Sequence, residues 1–466
     1  MTATVDQVLT AAQMRAAEQA LIADGTSVDE LMRRAGQGAA EWVWRMSGGR
    51  SVTVLCGPGN NGGDGWVIAE AIRQRGGDVA VVMAAEPVTE AARNARALYH
   101  GETLVGDAIR YGEVLVDCLF GTGLTRPLGA EHLALLTGLA ATHHKWVAVD
   151  LPSGVEADLG QPLNRDLPDY DLTLALGAWK PAHFLMPAAA CMGTLRLVEI
   201  GVEQVLGGAR LIERPRFTAP AVDAHKYTRG LLGVIGGAMP GASMLSARAA
   251  QGAGAGYVRL LGQGAGVAPA DLVVEDAPLA EALLDKRFSA LLIGPGLGRD
   301  GAAGEALALV LAEQRPTVID ADALVLLAPR LLAERQAPLI ATPHDGELFS
   351  LERAFDLDGS GSKVERAMAV ARTANMVVLA KGPDSVVAAP DGRTAFAPRA
   401  ASWLSTAGTG DVLAGIIASR LANGADPFAA ACQGVWLHSE AARLSGAAFS
   451  AGQLAEAVRA AYAACL

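Results

Sequence analysis

The sequence has little of what marks a secreted, membrane-bound or nucleic-acid-binding protein. Its five cysteines, Cys56, Cys118, Cys191, Cys432 and Cys465, are scattered and form no C-x-x-C pair. An odd count without metal-ligand spacing argues against a disulfide framework and for reduced, mostly structural thiols in a reducing compartment. Aromatic residues make up 5% of the chain, few for a surface that stacks bases. Positive charge is also short: 38 Lys and Arg stand against 49 Asp and Glu, a formal net charge of −11. That balance weighs against a nucleic-acid or acidic-membrane partner. It leaves an anionic small ligand open, because backbone N–H groups hold phosphates without basic side chains. No run approaches the roughly 18 apolar residues that span a bilayer. The first twenty residues, MTATVDQVLTAAQMRAAEQA, lack both a basic n-region and an apolar h-region, so no secretory signal or transit peptide is expected. The expectation is a cytoplasmic protein.

What is present is core-forming material. The 466 residues are 51% hydrophobic and 19% charged, enough for two or three domains with well-buried cores. Short apolar runs alternate with amphipathic stretches. In the first half, strands are expected at 51–56, 78–83, 113–118, 145–150, 171–176 and 194–200. Runs such as KWVAVD lack in/out alternation, the pattern of strands covered on both faces. A helix is expected over 66–75, stopped by Gly76-Gly77. The pattern lapses in ERPRFTAPAVD, where a linker is expected at 214–222. A second series of strands is expected at 231–235, 257–260, 290–293, 317–320, 339–342, 376–380 and 385–389, with Ala-rich helix in the last fifth. Two α/β domains, 1–213 and 223–466, each with a mainly parallel sheet, follow from this order.

The chemistry-bearing residues of the first half sit where strands end. CGPGNNGGDG contains a literal G-x-G-x-x-G at Gly57, Gly59 and Gly62. A dinucleotide fingerprint is the quick reading, but Asp64 puts a carboxylate where a pyrophosphate prefers none. The amides of Asn60 and Asn61 beside that carboxylate could also hold a hard cation. A plain Gly-rich turn is the structural alternative. Asp117 precedes CLFGTGLTRPLG and Asp150 precedes LPSG, so three such loops share one sheet edge. Together with the MRAAE segment at Met14–Glu18, GNNGGDG, VDCLFGTGL and VDLPSG closely resemble the NAD(P)H-hydrate epimerase family, over nearly all of residues 1–213. The resemblance implies a Rossmann-like three-layer sandwich. It implies that Asn60, Asn61, Gly62, Gly63 and Asp64, with Gly121, Thr122, Gly123, Leu124, Thr125, Arg126 and Pro127, bind a hydrated dinucleotide. It further implies K⁺ held by Asn61, Asp117 and Ser153, and acid/base assistance with substrate contact from Asp150.

The most specific motif of the chain is STAGTGDVLAG. Gly408, Thr409 and Gly410 form a small-residue turn before an apolar helix, and Asp411 opens that helix. A helix N-terminus is an anion hole for a transferring phosphate, and a carboxylate beside it can deprotonate an attacking hydroxyl. The plainer reading is an N-cap aspartate. HKYTRG, PGAS, IGPGLG, IDADAL, TPHDGEL and LAKGPDSV agree with the site. The set resembles the ADP/ATP-dependent NAD(P)H-hydrate dehydratase family over residues 223–466, which implies a ribokinase-like fold. It implies that Lys381, Gly382, Pro383, Asp384 and Ser385 hold the adenine nucleotide together with Ala401, Ser405, Thr406, Ala407, Gly408, Thr409 and Gly410. Ala242, Gly296 and His344 would contact the hydrated dinucleotide with Asp411 as base, and Mg²⁺ and ADP would be required. Small departures, TPHDGE for TPHPGE and TAGTGD for TGGTGD, keep the turn chemistry. His100, His143, His144 and His438 match no motif and read as surface or packing residues.

The expected partners are small molecules, NADHX or NADPHX and ADP, with no nucleic acid and no membrane, in a homo-oligomer. The competing readings are a hydroxymethylpyrimidine- or sugar-type kinase in the second half, a non-catalytic binding module in the first, and a simple NAD-dependent dehydrogenase.

Overall fold

The structure, a computed structural model, describes residues 6–106, 110–262 and 268–466. The chain divides into two compact units, Met1–Arg210 and Leu211–Leu466.

Unit 1 contains β1 (Gln7–Val8), α1 (Ala11–Ala23), α2 (Val28–Ser47), β2 (Val52–Cys56), α3 (Asn60–Gln74), β3 (Val79–Met83), α4 (Glu90–Leu98), β4 (Glu102–Val105), β5 (Gly112–Cys118), α5 (Ala130–Ala140), β6 (His143–Val149), β7 (Leu172–Leu176), β8 (Thr194–Val198) and β9 (Ala209–Leu211). Seven strands form a wholly parallel sheet in the order β4-β3-β2-β5-β6-β7-β8. β1 lies outside this seven-stranded sheet and pairs antiparallel with β9, Val8 opposite Ala209. β2 and β3 are buried along their whole length, as a sheet covered on both faces demands. α2 shows how the cover is built. Ser27 caps its N-terminus, Gly48 turns left-handed at its end, and Leu31, Met32, Ala35, Ala39, Ala40 and Val43 face the core at helical spacing.

The sheet reverses direction at its middle. From β2 the chain adds β3 and β4 on one side, then returns to place β5 on the other side of β2. The loops after β2 and β5 therefore diverge and leave a crevice at their carboxyl ends, where open α/β sheets bind ligands.

Unit 2 contains β10 (Leu231–Ile235), α6 (Pro240–Gly252), β11 (Tyr257–Leu261), β12 (Val273–Glu275), α7 (Leu279–Ala282), β13 (Phe288–Ile293), α8 (Gly301–Ala312), β14 (Thr317–Ile319), α9 (Asp322–Leu326), β15 (Leu339–Ala341), α10 (Asp345–Ala354), α11 (Lys363–Thr373), β16 (Val377–Ala380), β17 (Val386–Ala388), β18 (Thr394–Phe396), α12 (Thr409–Ala422), α13 (Pro427–Ser445) and α14 (Ala451–Ala463). Its strands run β18-β17-β16-β15-β14-β13-β10-β11-β12. They are parallel from β12 through β16 and antiparallel across β16, β17 and β18. Here too the order reverses, between β10 and β13.

Every strand expected from the sequence is present, with ends displaced by at most two residues. Five short strands were not expected beside them: β1, β4, β9, β12 and β18. β4 and β12 end their sheets, and β4 reads exposed, exposed, intermediate, exposed, so it carries no apolar signal. β18 is only three residues long. The helix expected over 66–75 begins six residues earlier, at Asn60, and ends at Gln74. The glycines that read as a loop lie in its first turns because the helix is pressed against the strand ends. A Cβ on Gly62 would stand 1.9 Å from the Gly57 carbonyl oxygen. Ile212–Gly230, which contains the expected linker, holds neither helix nor strand.

Candidate active sites at the two sheet crevices

A cavity of about 420 Å³ occupies the crevice of unit 1, within the range of small-ligand pockets. Its wall is drawn from Gly59, Asn60 and Asn61 after β2, from Leu119–Leu124 after β5, from Asp150 after β6, and from Leu176 and Lys180 at and beyond the end of β7. Met14, Arg15 and Glu18 of α1 close another side.

Asp150 is the most constrained residue of this wall. Its backbone is left-handed at φ 67°, a region that aspartate tolerates better than most residues. The conformation is pinned at both ends: the Asp150 amide donates to the Leu174 carbonyl at 2.8 Å, and His183 Nε2 donates to the Asp150 carbonyl at 2.8 Å. His183 Nδ1 accepts from the Lys180 amide, which leaves the ring proton on Nε2. Burial pushes this imidazole down to about 4, so it stays neutral. On the Asp150 side chain, Lys180 Nζ donates to Oδ1 at 2.5 Å, while the amide and hydroxyl of Thr122 donate to Oδ2. Burial alone would raise its pKa, but Lys180 and Thr122 outweigh it and hold the carboxyl below the usual range. Lys180 is itself 1% exposed and also donates to the Leu176 carbonyl. Asp64 and Glu18 stand at the same cavity with the opposite tendency. Burial raises both, and the charge of Asp150 raises them further.

Asp117 and Ser153 lie beneath the cavity. Asp117 Oδ1 accepts from the Ser153 hydroxyl at 2.7 Å, and Oδ2 accepts from the Ser153 amide at 3.0 Å and from Tyr170 at 2.5 Å. Ser153 Oγ in turn accepts from the Phe120 amide, which fixes the loop after β5. Asn61 differs: both polar atoms of its side chain are buried without a partner. Amide, carboxylate and hydroxyl oxygens form a hard donor set, and the orphaned amide is the observation that fits a cation. Among the described residues no group of three or more His, Cys, Asp or Glu is arranged to hold a metal ion.

In unit 2, α6 starts immediately after β10 and Gly294–Gly298 follows β13, so Ala242 and Gly296 meet at the crevice. A Cβ on Gly296 would be 3.0 Å from the Ala242 Cβ. α12 lies along α6 in close contact. A Cβ on Gly415 would stand 2.1 Å from the Ser246 carbonyl oxygen, and Ser246 Oγ donates to the Asp411 carbonyl at 2.8 Å. Gly408, left-handed at φ 90°, is the residue before α12, and Asp411 is the third residue of the helix rather than its cap. No protein donor among the described residues reaches the Asp411 carboxyl. Burial and the neighbouring Asp320 push its pKa up to about 6 against the opposing pull of Lys381.

Lys381 organises the ends of three strands. Its Nζ donates to Asp320 Oδ1 at 2.6 Å, stands 3.9 Å from Glu347, and lies 3.6 Å from where a Cβ on Gly410 would be. Thr342 Oγ1 donates to the same Asp320 oxygen at 2.7 Å. Burial would lower Lys381, but Asp320 and Glu347 overcome it and raise the ammonium above its ordinary value. Gly382 to Ser385 form a tight turn in which the Gly382 amide donates to Ser385 Oγ, and Asp384 pairs with Lys363 at 2.5 Å. Ser405, Thr406 and Thr409 bond to carbonyls within 402–406, and His438 supports the Thr409 carbonyl at 2.9 Å.

The structure thus gathers Asn60, Asn61, Asp64, Gly121–Leu124 and Asp150 around one cavity. Gly62 and Gly63 face protein instead, and Thr125, Arg126 and Pro127 continue the loop past the cavity wall. Ala242 and Gly296 meet at the unit 2 crevice, and Lys381 stands beside Gly410. His344 caps α10, its Nδ1 accepting from the Gly346 amide at 3.0 Å. Four members were not anticipated: Lys180, His183, Asp320 and Glu347. Lys180 is thirty residues from Asp150, and Lys381 is 61 from Asp320. No local spacing could signal either pair. Asp320 and Glu347 stood inside motifs noted for their turns alone.

Comparison with known proteins divides along the same line. Residues 232–462 match the family model described as NAD(P)H-hydrate dehydratase, and residues 28–182 match that described as YjeF-related protein N-terminus. A relative from Moorella thermoacetica, named bifunctional NAD(P)H-hydrate repair enzyme Nnr, is 34% identical over 91% of this chain and 90% of its own length. One of the same name from Salinibacter ruber is 35% identical over 94% of this chain and 92% of its own. A solved ADP/ATP-dependent NAD(P)H-hydrate dehydratase from Bacillus subtilis is 27% identical, covering 54% of this chain and 95% of that one with a TM-score of 0.47.

Proposed function

The chain belongs to the bifunctional NAD(P)H-hydrate repair enzyme family, and on that footing we propose how its two sites share the repair. Unit 1, with residues 1–213 as its domain, interconverts the R and S forms of hydrated NADH or NADPH. Unit 2, with residues 223–466 as its domain, dehydrates the S form with ADP and releases NAD(P)H, AMP and phosphate. The observation that carries the reading is the pair of aspartates at the two crevices: Asp150 kept ionised by Lys180, and Asp411 poised near neutrality beside Gly408–Gly410.

In unit 2 the work of the chain's own residues is proton removal and charge stabilisation. Asp411 takes the proton of the ring hydroxyl, which attacks the terminal phosphate of ADP. Phosphate then leaves with the electrons of the C–O bond, the adjacent ring carbon loses a proton to solvent, and the ring double bond is restored. A base with pKa about 6 suits the task, because it is mostly ionised at neutral pH yet retains proton affinity. The amides before and within the first turn of α12 face developing negative charge, Lys381 adds a fixed positive one, and Ala401–Gly410 with Lys381–Ser385 hold the nucleotide. Mg²⁺, when bound, neutralises phosphate charge. It is proposed to arrive with the nucleotide, because the described residues offer no cage of three carboxylates. Ala242, Gly296 and His344 are the proposed contacts for the hydrated dinucleotide.

In unit 1 the same substrate occupies the 420 Å³ cavity, with Asp150 as acid/base residue. K⁺ is proposed at Asn61, Asp117 and Ser153, where it would give the orphaned Asn61 oxygen a partner and supply a fixed positive charge. A cytoplasmic location and assembly into a homo-oligomer complete the proposal; no helix of the described residues is long and apolar enough to cross a membrane.

The test is recovery of absorbance at the reduced-nicotinamide band from hydrated NADH plus ADP. Recovery with AMP formation supports repair, whereas a stable phosphorylated product would favour a small-molecule kinase.

A further inference from the structure

The unit 1 cavity holds two buried aspartates in opposite settings. Asp150 accepts from Lys180 Nζ and twice from Thr122. Asp64, in the second turn of α3, lines the same cavity at 7% exposure and receives no hydrogen bond from any described residue. The charged and titratable groups facing it are Arg15 and Glu18 of α1, Asp150 after β6, Lys180 after β7, and the buried thiols Cys56 of β2 and Cys118 of β5. Of the two cations, Arg15 acts on Glu18, and Lys180 is already committed to Asp150 and the Leu176 carbonyl. A buried carboxyl with no donor and two other carboxyl groups nearby keeps its proton. Burial and those charges indeed raise Asp64 well above the ordinary range, while Asp150 is lowered. Neighbouring carboxyls driven apart in this way take the roles of acid and base.

We propose that Asp64 is a second catalytic residue of the epimerase half: its neutral carboxyl donates the proton that releases the substrate's hydroxyl as water, and the Asp150 carboxylate takes the proton of the water that returns. This rests on the epimerase reading of unit 1. A hydrated dihydropyridine carries its hydroxyl on the carbon next to the ring nitrogen, because water adds to an enamine at that carbon. When that C–O bond breaks, the bonding pair leaves with oxygen, Asp64 supplies the proton, and the nitrogen lone pair forms a C=N⁺ bond. Water then adds to the opposite face and restores a neutral ring, and its extra proton passes to Asp150. Asp150 returns that proton to Asp64 through cavity water, so no oxidant or reductant is consumed. Lys180 sets the direction, since it favours charge on Asp150 and leaves Asp64 to carry the proton at rest.

Asp64→Asn keeps the side chain's size and removes the titrating proton. Measured in the full chain, it is expected to lower kcat for epimerisation by about 10²- to 10⁴-fold with little change in KM, while dehydration of the purified S epimer continues at the unaltered rate and shows that the chain is folded. Difference infrared spectra of the unaltered and Asp64→Asn proteins at pH 7 are expected to show a protonated-carboxyl C=O band that the variant lacks. Unaltered epimerisation in Asp64→Asn, or absence of that band, overturns the proposal. Absence of epimerisation in the unaltered chain overturns the epimerase reading beneath it.

Discussion

Asp150 and Asp411 hold corresponding places in the two units. Each stands at the carboxyl end of a parallel sheet, beside the crevice where the strand order reverses. Their surroundings differ in one respect that decides their behaviour. Asp150 is locked by a buried ammonium at 2.5 Å and two donors from Thr122, which hold its pKa below the usual range. Asp411 has no donor on its carboxyl among the described residues, and Lys381, the cation that pulls against the shift, is spent on Asp320, so burial and the Asp320 charge raise its pKa to about 6. A carboxylate locked in its charged form suits a reaction that needs only a passing proton. One left near neutrality suits a base that must strip a hydroxyl ahead of phosphoryl transfer.

The largest effects should come from removing each acid in turn. Asp411→Ala should cut dehydration by about 10²- to 10⁴-fold and spare epimerisation, and Asp150→Asn should do the reverse. Separate assays on the purified S epimer and on epimer interconversion check this, and joint loss in either variant would break the division into two sites. Lys180→Met should come next. It leaves Asp150 charged and unpaired in the core, which costs about 3–5 kcal/mol of stability. Adding Asp150→Leu should recover much of that loss, as denaturant midpoints would show. The pH dependence of the two activities should then part company. Dehydration should fall about tenfold per unit below pH 6 as Asp411 protonates, whereas the acid form of Asp150 appears only at lower pH. Rate profiles on each half-reaction measure this. The smallest effect concerns stability. The folded pKa of Asp411 lies above its unfolded value, so its contribution is present at low pH and is lost as pH rises through about 6. Asp411→Asn should therefore raise Tm modestly at pH 8 and not at pH 4, by calorimetry.

The fold was open to sequence reading wherever packing is dense on both faces of a strand. LLGVI is buried throughout and KWVAVD from Val147 onward, and both were recognisable as strands by their lack of in/out alternation. ETLV was not, because an edge strand facing solvent carries no apolar signature. The start of α3 was hidden for a different reason. Glycines there serve close approach to the strand ends, which in a one-dimensional pattern looks like a loop. The sites divide in the same way. Asp64, Asp150 and Asp411 announce themselves through turn chemistry next to them. Lys180, His183, Asp320 and Glu347 act through partners far away in sequence, and only the sheet order brings them together.

The most direct test of the two-site account follows the reduced-nicotinamide absorbance of an equal mixture of R and S hydrated NADH with excess ADP. The unaltered chain should recover all of it in one rapid phase. Asp150→Asn should recover only the S half at that rate, leaving the remainder to the slow uncatalysed interconversion. Full, rapid recovery by Asp150→Asn would contradict the account.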